Sequence, residues 1–327
     1  MKMKLPRKSG NYPRKFAMAQ APSKIRNILA TTDFSPESLA GVRYAVAVAK
    51  KLSASVTLLH VFEPPMPMAG MEAVGFAREK WRVAKLAGLQ LKRLAKRAGG
   101  DRMVLTSFVR TGKPFHEITM AARERAADCI VIATHGYTGA KRLLLGSTAE
   151  RVVRYAPCPV LTVPTRTTPK RKGNTPPLKI KKILVPIDFS EISTDALPPA
   201  AFLAERLGAE LILAHIVENF PIDYLLGREL MNQTITPLMK QAAADLDRIA
   251  RRLSDSTGLN VSVIVRDGTP FREICEVARK LGVDLVVLTT RGYTGLKHVW
   301  LGSTAERVVR HAHCPVLAVR ELSRARV

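Results

Sequence analysis

From Asn27 onward the chain alternates two kinds of hydrophobic pattern. Short unbroken apolar runs are followed by longer stretches in which apolar positions recur every three or four residues. Asn27–Thr31 (NILAT) is a run of the first kind and suits a strand buried on both faces. Pro36 then sits where the first turn of a helix tolerates a proline. Ser35 is a fitting N-cap, and Ala40, Tyr44, Ala47 and Val48 form the apolar stripe of that helix. Ser55–Phe62 (SVTLLHVF), β-branched and apolar, reads as a second strand. Residues 76–98 read as a long amphipathic helix with Val83, Ala87, Leu91 and Leu94 on one side and Arg78, Arg82, Lys85, Lys92 and Lys96 on the other. A third strand near 103–109, a helix over 115–125, a strand over 128–134, a glycine-rich turn, a further helix and a last strand over 159–163 complete the unit. Buried strands separated by helices predict a parallel sheet covered on both faces.

The unit occurs twice. KIRNILATTDFS at 24–35 returns as KIKKILVPIDFS at 179–190, displaced by 155 residues. VRTGKPFHEI from Val109 returns as VRDGTPFREI from Val265, displaced by 156. The 21 residues from Thr134, beginning THGYTG and running through GSTAERVVR, return from Thr290 in the same register. A period of this length marks two whole domains and not a solenoid of short repeats. The predicted organisation is a basic tail (1–23), a first domain (24–164), a basic linker (165–178), a second domain (179–320) and a short C-terminal tail (321–327).

In a sheet of this kind ligands bind beyond the carboxyl ends of the strands, where the strand order reverses. Asp33, and Asp188 in the second copy, end the first strand of each unit. The fourth strand runs into the glycine-containing loop, and ten residues after Gly136 the triplet Gly146-Ser147-Thr148 opens a helix. Gly292 and Gly302-Ser303-Thr304 repeat this arrangement. Glycines allow a backbone to approach an anion and present its amides, hydroxyls add donors, and a helix N-terminus supplies partial positive charge. That is sufficient for a phosphate cradle. It is neither a GxxxxGK[ST] loop nor a GxGxxG turn. A Gly-Ser-Thr before a helix also reads simply as an N-cap, so on the local sequence both readings stand.

DFS after the first strand, Leu59-His60-Val61 at the close of the second, THGYTG, GSTAERVVR and APCPVL together closely resemble the universal stress protein family, over nearly all of 24–164 and 179–320. The resemblance implies an α/β fold of two repeated five-stranded parallel-sheet sandwich domains, Rossmann-like and adenine nucleotide α-hydrolase-like. In the family's ATP-binding branch it implies the pattern G-x2-G-x9-G-[S/T]. Carried over, the second glycine is Gly136 or Gly292, and the third is Gly146 or Gly302, with Ser147 or Ser303 behind it. Thr148 and Thr304 continue the cradle. Asp33 and Asp188 stand at the adenine and ribose end, and Val61 and Ile216 beside the base. The first glycine is missing: the position holds Ala133 in one half and Thr289 in the other. Threonine is bulkier and stiffer than alanine. The expectation is that the first half binds nucleotide better than the second. The resemblance further implies pairing of the two halves through their last strands, 159–163 and 315–319, within one chain.

Charge, cysteines and the remaining residues adjust this picture. The net charge is +25. Seven of the cations lie in 1–24 and seven more in 165–182, neither of which holds an acid, so more than half the excess belongs to tail and linker. Such segments attract polyanions and anionic lipid nonspecifically. No apolar run reaches the length of a transmembrane span, and the basic N-terminus lacks a signal peptide's apolar stretch, so a cytoplasmic location is expected. Four cysteines form no CxxC pair; Cys158 and Cys314, each before a proline, read as small buried residues at a strand start. His60 and His215 read as packed strand-end residues, and Phe115 and Phe271 as core anchors. Tyr137 and Tyr293 either cover a ligand or pack on the surface. His135, which stands opposite Arg291, is not expected to act in catalysis. No metal-ligand cluster stands out; Asp33 is a candidate to hold Mg²⁺ through a bound phosphate. The reading is a stress-response regulator that binds ATP or a related adenine nucleotide, with at most slow, incidental hydrolysis. One alternative is a scaffold that binds no nucleotide and acts through protein contacts. A second is a nucleic-acid or membrane-surface binder using the tail, linker and Arg78–Lys96 face.

Overall fold

A computed structural model describes residues 24–64, 73–99, 103–134, 145–164, 178–218, 223–290 and 301–320. The first half runs β1 (Asn27–Thr31), α1 (Pro36–Leu52), β2 (Ser55–Phe62), α2 (Ala73–Gly99), β3 (Thr106–Thr111), α3 (Pro114–Glu124), β4 (Cys129–Ala133), α4 (Ser147–Tyr155) and β5 (Val160–Val163). The second runs β6 (Lys182–Pro186), α5 (Glu191–Thr194), α6 (Leu197–Leu207), β7 (Glu210–Glu218), α7 (Asp223–Thr257), β8 (Val261–Gly268), α8 (Pro270–Leu281), β9 (Leu285–Thr289), α9 (Ser303–His311) and β10 (Val316–Val319). Most elements begin and end within a few residues of the positions expected from the pattern. β3 starts three residues later, at Thr106, and Asp33 lies two residues beyond β1 instead of ending it.

Among the described residues the strands form one ten-stranded sheet, ordered β3-β2-β1-β4-β5-β10-β9-β6-β7-β8. Neighbours within each half are parallel, and the two halves meet where β5 pairs antiparallel with β10, Leu161 opposite Leu317. The two five-stranded sheets are thus one continuous sheet within a single chain. The seam gains further ties from the Thr162 hydroxyl, which donates to the Val316 carbonyl at 3.2 Å, and from Arg320, which donates to the Ala156 carbonyl at 3.2 Å. Because the sheet is covered on both sides, its apolar residues sort into two layers. One lies under α1, α2, α6 and α7 and includes Val42, Leu91, Leu203 and Leu246; the other lies under α3, α4, α8 and α9 and includes Ile118, Val152, Ile274 and Val308. Both layers cross the seam without interruption.

Local sequence accounts for the main difference between the halves. In the first, Ser35 caps α1 by accepting from the Ser38 amide at 3.2 Å, Pro36 fills the first turn, and one helix runs to Leu52. In the second, Ser190 caps in the same way, but Pro198 and Pro199 follow eight and nine residues later. Neither has an amide hydrogen to bond back to the preceding turn, so the helix divides into α5 and α6 around Asp195 and Ala196.

The DFS turn has the same geometry in both copies. The Asp33 carboxylate accepts from the Ser35 amide at 3.0 Å and the Ser35 hydroxyl at 2.5 Å; Asp188 does the same for Ser190 at 2.9 and 2.5 Å. Between them Phe34 and Phe189 have φ of 65° and 61°, a left-handed conformation that costs a bulky residue roughly 1–3 kcal/mol. Aromatic packing offsets that strain: the ring centroids lie 4.5 Å from His60 and 4.3 Å from His215. Each imidazole Nδ1 in turn lies 2.8 Å from a carbonyl just ahead of the turn, Thr32 or Ile187. The histidines therefore pin the β1–α1 and β6–α5 turns to the ends of β2 and β7, as expected of packed strand-end residues. A second recurrent turn, R-[T/D]-G-[K/T]-P, places Gly112 and Gly268 at φ 148° and 137°. A Cβ there would meet Glu117 at 2.9 Å or Glu273 at 3.0 Å, so glycine is required.

Two outcomes follow from this core. The Tyr44 hydroxyl is buried near the seam, has no hydrogen-bond partner among the described residues, and its ring adjoins a cavity of about 20 Å³ bounded by residues of both halves. Tyr44→Phe removes an unsatisfied polar group and is expected to raise stability to denaturant by about 1 kcal/mol; a loss would show that the hydroxyl is satisfied. Burial pushes the His215 pKa below its ordinary 6.5, against the opposing pull of the Ile187 carbonyl, Asp188 and Asp245. The folded chain thus disfavours the imidazolium. The stability this contributes is full above pH 6.5 and is lost as pH falls toward the depressed folded value. An NMR titration of His215 should give a midpoint below 6.5, and His215→Gln should flatten the acid limb of the stability curve.

Candidate functional site

The strand order reverses between β1 and β4 in the first half and between β6 and β9 in the second. At each reversal two crossovers leave in opposite directions and open a crevice at the carboxyl ends of the strands. The chain after the fourth strand of each half returns to that same crevice. The Gly146 amide donates to the Thr134 carbonyl at 2.7 Å, and the Gly302 amide to the Thr290 carbonyl at 2.7 Å. These bonds set the N-termini of α4 and α9 beside the strand ends from which the loops departed. Gly146 and Gly302 are the N-cap residues, and no side chain caps either helix. The first amides of α4 and α9 have no partner inside the helix, so they can present positive dipole to an anion. The triplets do open their helices with glycine at the N-cap, and the phosphate-cradle reading stands beside that one.

In the second half the crevice is a cavity of about 330 Å³, near the lower end of the range for small-molecule sites. Asp188, Ile216, Thr289, Gly302, Ser303 and Thr304 all line it, so six of the seven second-half residues singled out from sequence meet at one place. The seventh, Gly292, lies outside the described residues, as do Gly136, His135, Arg291, Tyr137 and Tyr293. In the first half Asp33, Val61, Ala133, Gly146, Ser147 and Thr148 occupy the corresponding strand ends and helix start.

The cavity also takes in Ser193, Glu218 and Pro270, which the sequence reading did not name. Glu218 lies two residues beyond Ile216 and so on the same face of β7. That alternation was a usable signal. Pro270 is the first residue of α8, just past the required glycine of the second recurrent turn. The walls differ in chemistry from end to end. Ser303, Thr304 and the α9 amides offer donors and partial positive charge at β9. Asp188 and Glu218 offer carboxylates at β6 and β7, the latter about 10 Å away across two strand spacings. The site suits a ligand with an anionic end and a donor-rich end.

At the position of the missing first glycine the two halves differ. Ala133 is buried beneath α1, where a Cβ built on Gly41 would stand 3.5 Å from its amide nitrogen and 3.7 Å from its methyl. That is ordinary van der Waals distance, so the alanine methyl packs under α1 without needing a glycine above it. In the second half Ala196 replaces Gly41 and Thr289 replaces Ala133; both are larger, the helix divides there, and Thr289 lines the cavity.

Thiol chemistry finds no support in the site. Burial pushes the Cys158 and Cys314 thiols up to about 12 and Cys129 higher still, so none is poised as a thiolate. Cys314 is buried as expected, whereas Cys158 is only half-buried. Phe115 and Phe271 likewise are half-buried, each covered by an arginine of the following helix, Arg151 at 5.1 Å and Arg307 at 5.0 Å. No cluster of three or more potential metal ligands occurs among the described residues, and none of their helices is long and apolar enough to cross a membrane.

Comparison with known proteins agrees with the internal repeat. The family model described as universal stress protein family matches residues 24–164 and again 179–320. A universal stress protein of Methanocaldococcus jannaschii is 35% identical over 141 residues, covering 43% of this chain and 82% of that protein. One of Mycobacterium tuberculosis is 28% identical over 309 residues, 92% of this chain and 99% of its own length. The crystal structure of a universal stress protein from Archaeoglobus fulgidus shares the fold, with a TM-score of 0.61 at 22% identity over 91% of this chain and 97% of that one. With the family matched twice in succession and a relative aligned along nearly its whole length, the chain belongs to the universal stress protein family and is a tandem form of it.

Proposed function

We propose that this tandem universal stress protein is a regulator that binds ATP or a related adenine nucleotide at the carboxyl ends of its strands, and that the first half binds more tightly. One observation carries the reading: Asp188, Ile216, Thr289, Gly302, Ser303 and Thr304, chosen from sequence for that role, line a single cavity of about 330 Å³. Its donor-rich wall at α9 suits phosphates. The Asp188 and Glu218 carboxylates, on the far side, suit ribose hydroxyls and base amino groups. Asp33, Val61, Ala133, Gly146, Ser147 and Thr148, with Gly136, would form the equivalent site in the first half. Mg²⁺, where present, would be held through the phosphates with help from Asp33 or Asp188. The expected action is binding, with turnover at most slow, in the cytoplasm. Self-association through the last strands is met within one chain by the β5–β10 pair. A scaffold that binds no nucleotide is the second reading, favoured by the absence of the first glycine from both halves.

Calorimetric titration of ATP with Mg²⁺ into the full chain tests this. Gly146 and Gly302 have φ of −59° and −67°, a backbone conformation that valine also adopts, and a side chain there would stand at the helix start where a phosphate would approach. Gly146→Val should remove the tighter site, lowering overall affinity at least 10-fold, while Gly302→Val should leave it nearly intact. Two equal sites would refute the inequality, and no binding to protein freed of copurified ligand would favour the scaffold.

Thr289→Ala gives the second half the residue of the first. It should tighten the weaker site by roughly 10-fold, the scale of one relieved steric contact, and bring the two sites closer together in the same titration. If the weaker affinity does not move, the source of the inequality lies elsewhere.

A further inference from the structure

We propose that the outer face of α2 docks on anionic lipid bilayers. α2 has eight lysines and arginines against one acid, Glu79, and that acid is engaged by Arg82 at 2.8 Å. All eight cations are exposed. Among them stand three large apolar side chains turned to water: Trp81 at 64% exposure, Leu86 at 56% and Leu89 at 47%. At about 100° per residue, Arg78, Trp81, Lys85, Leu89, Lys92 and Lys96 fall within one arc of about 80°. The Lys85 ammonium lies 4.8 Å from the centre of the Trp81 ring, so cation and aromatic already share one ridge. Residues 77–82 are exposed on every side of the helix. The buried side, Ala87, Leu91 and Ala95, faces the core, and among the described residues the basic–apolar side is left exposed.

The second half provides the control. α7 occupies the same place over β7 and β8, with five acids against five bases and no tryptophan. Covering this fold therefore requires neither the charge nor the ring.

Charge complementarity selects an anionic partner, and the leucines distinguish between anionic partners. A nucleic-acid strand rewards lysines and a stacking tryptophan, but exposed leucines gain nothing from phosphate or from stacked bases. At a bilayer surface all three residue types are rewarded: cations at the headgroups, tryptophan at the interface and leucines at the acyl boundary. This inference does not depend on nucleotide binding.

The test is sedimentation of the full chain with vesicles of phosphatidylcholine alone or of phosphatidylcholine with phosphatidylglycerol. A Trp300→Phe background makes Trp81 the sole tryptophan. Binding is expected to the anionic vesicles only, with a blue shift of Trp81 emission. Replacing Lys85, Lys92 and Lys96 together by glutamate should lower partitioning by about 100-fold or more. Trp81→Ala with Leu89→Ser, at unchanged charge, should lower it by about 10-fold. These positions are solvent-exposed, so far-UV circular dichroism should be unaltered. The proposal is overturned by vesicle binding that survives both sets of changes, by binding without a blue shift, or by no binding. Binding to single-stranded RNA in place of vesicles, lost with the same lysines but not with Leu89→Ser, would also overturn it and identify a nucleic-acid face.

Discussion

An edge strand presents a row of amides and carbonyls open to pairing, and both faces of a parallel sheet need cover. In this chain the last strand of each half supplies that pairing for the other. The β5–β10 pair converts two five-stranded sheets into one ten-stranded sheet and lets the apolar layers run unbroken from Leu91 under α2 to Leu246 under α7. Because that one pairing is antiparallel while every pairing within a half is parallel, the carboxyl ends of the two sets of strands face opposite ways. The two candidate ligand crevices consequently open at opposite ends of the sheet and share no wall.

Within each half the site is built from turns that satisfy backbone demands first. The aspartate of DFS holds the serine that caps the next helix, the phenylalanine accepts a left-handed backbone in exchange for packing on a histidine, and the histidine reaches back to the carbonyl ahead of the turn. This arrangement fixes where the carboxylate stands. The glycine that begins α4 or α9 is tied to the end of the fourth strand by a single amide–carbonyl bond, which fixes where the helix amides stand. Candidate binding groups of opposite character are thereby held on two neighbouring strands.

Much of this was legible in the sequence, and the reasons are physical. Strands buried on both faces announce themselves as apolar runs, serine and proline mark helix starts, and a duplicated motif points to a duplicated site. Six of seven second-half residues chosen that way line one cavity. The rest depends on relations between distant segments or on conformations a residue type does not advertise. Nothing in the letter F signals φ of 65°, because phenylalanine adopts it only when a ring such as His60 stands opposite. The packing of Gly41 against Ala133 brings together two residues far apart in sequence. Glu218 and the Pro198-Pro199 break were readable, the first from strand alternation and the second from missing amide hydrogens, and both require tracing the second copy as closely as the first. The exposure of Leu86 and Leu89 was not readable at all, since periodicity places residues on a helix without showing where the helix stops being covered.

Fusion of the halves changes what the seam means. A pairing between separate subunits weakens on dilution, whereas one closed within a single chain has the same occupancy at every concentration. Neither half ever has to recognise a copy of itself, so the two are released from having to stay alike. Gly41 and Ala133 have become Ala196 and Thr289, an unbroken helix has become two, and a neutral covering helix stands where its counterpart is strongly basic. Permanent partnership is the condition under which such divergence carries no penalty in assembly, and it allows a symmetric fold to take on two different tasks.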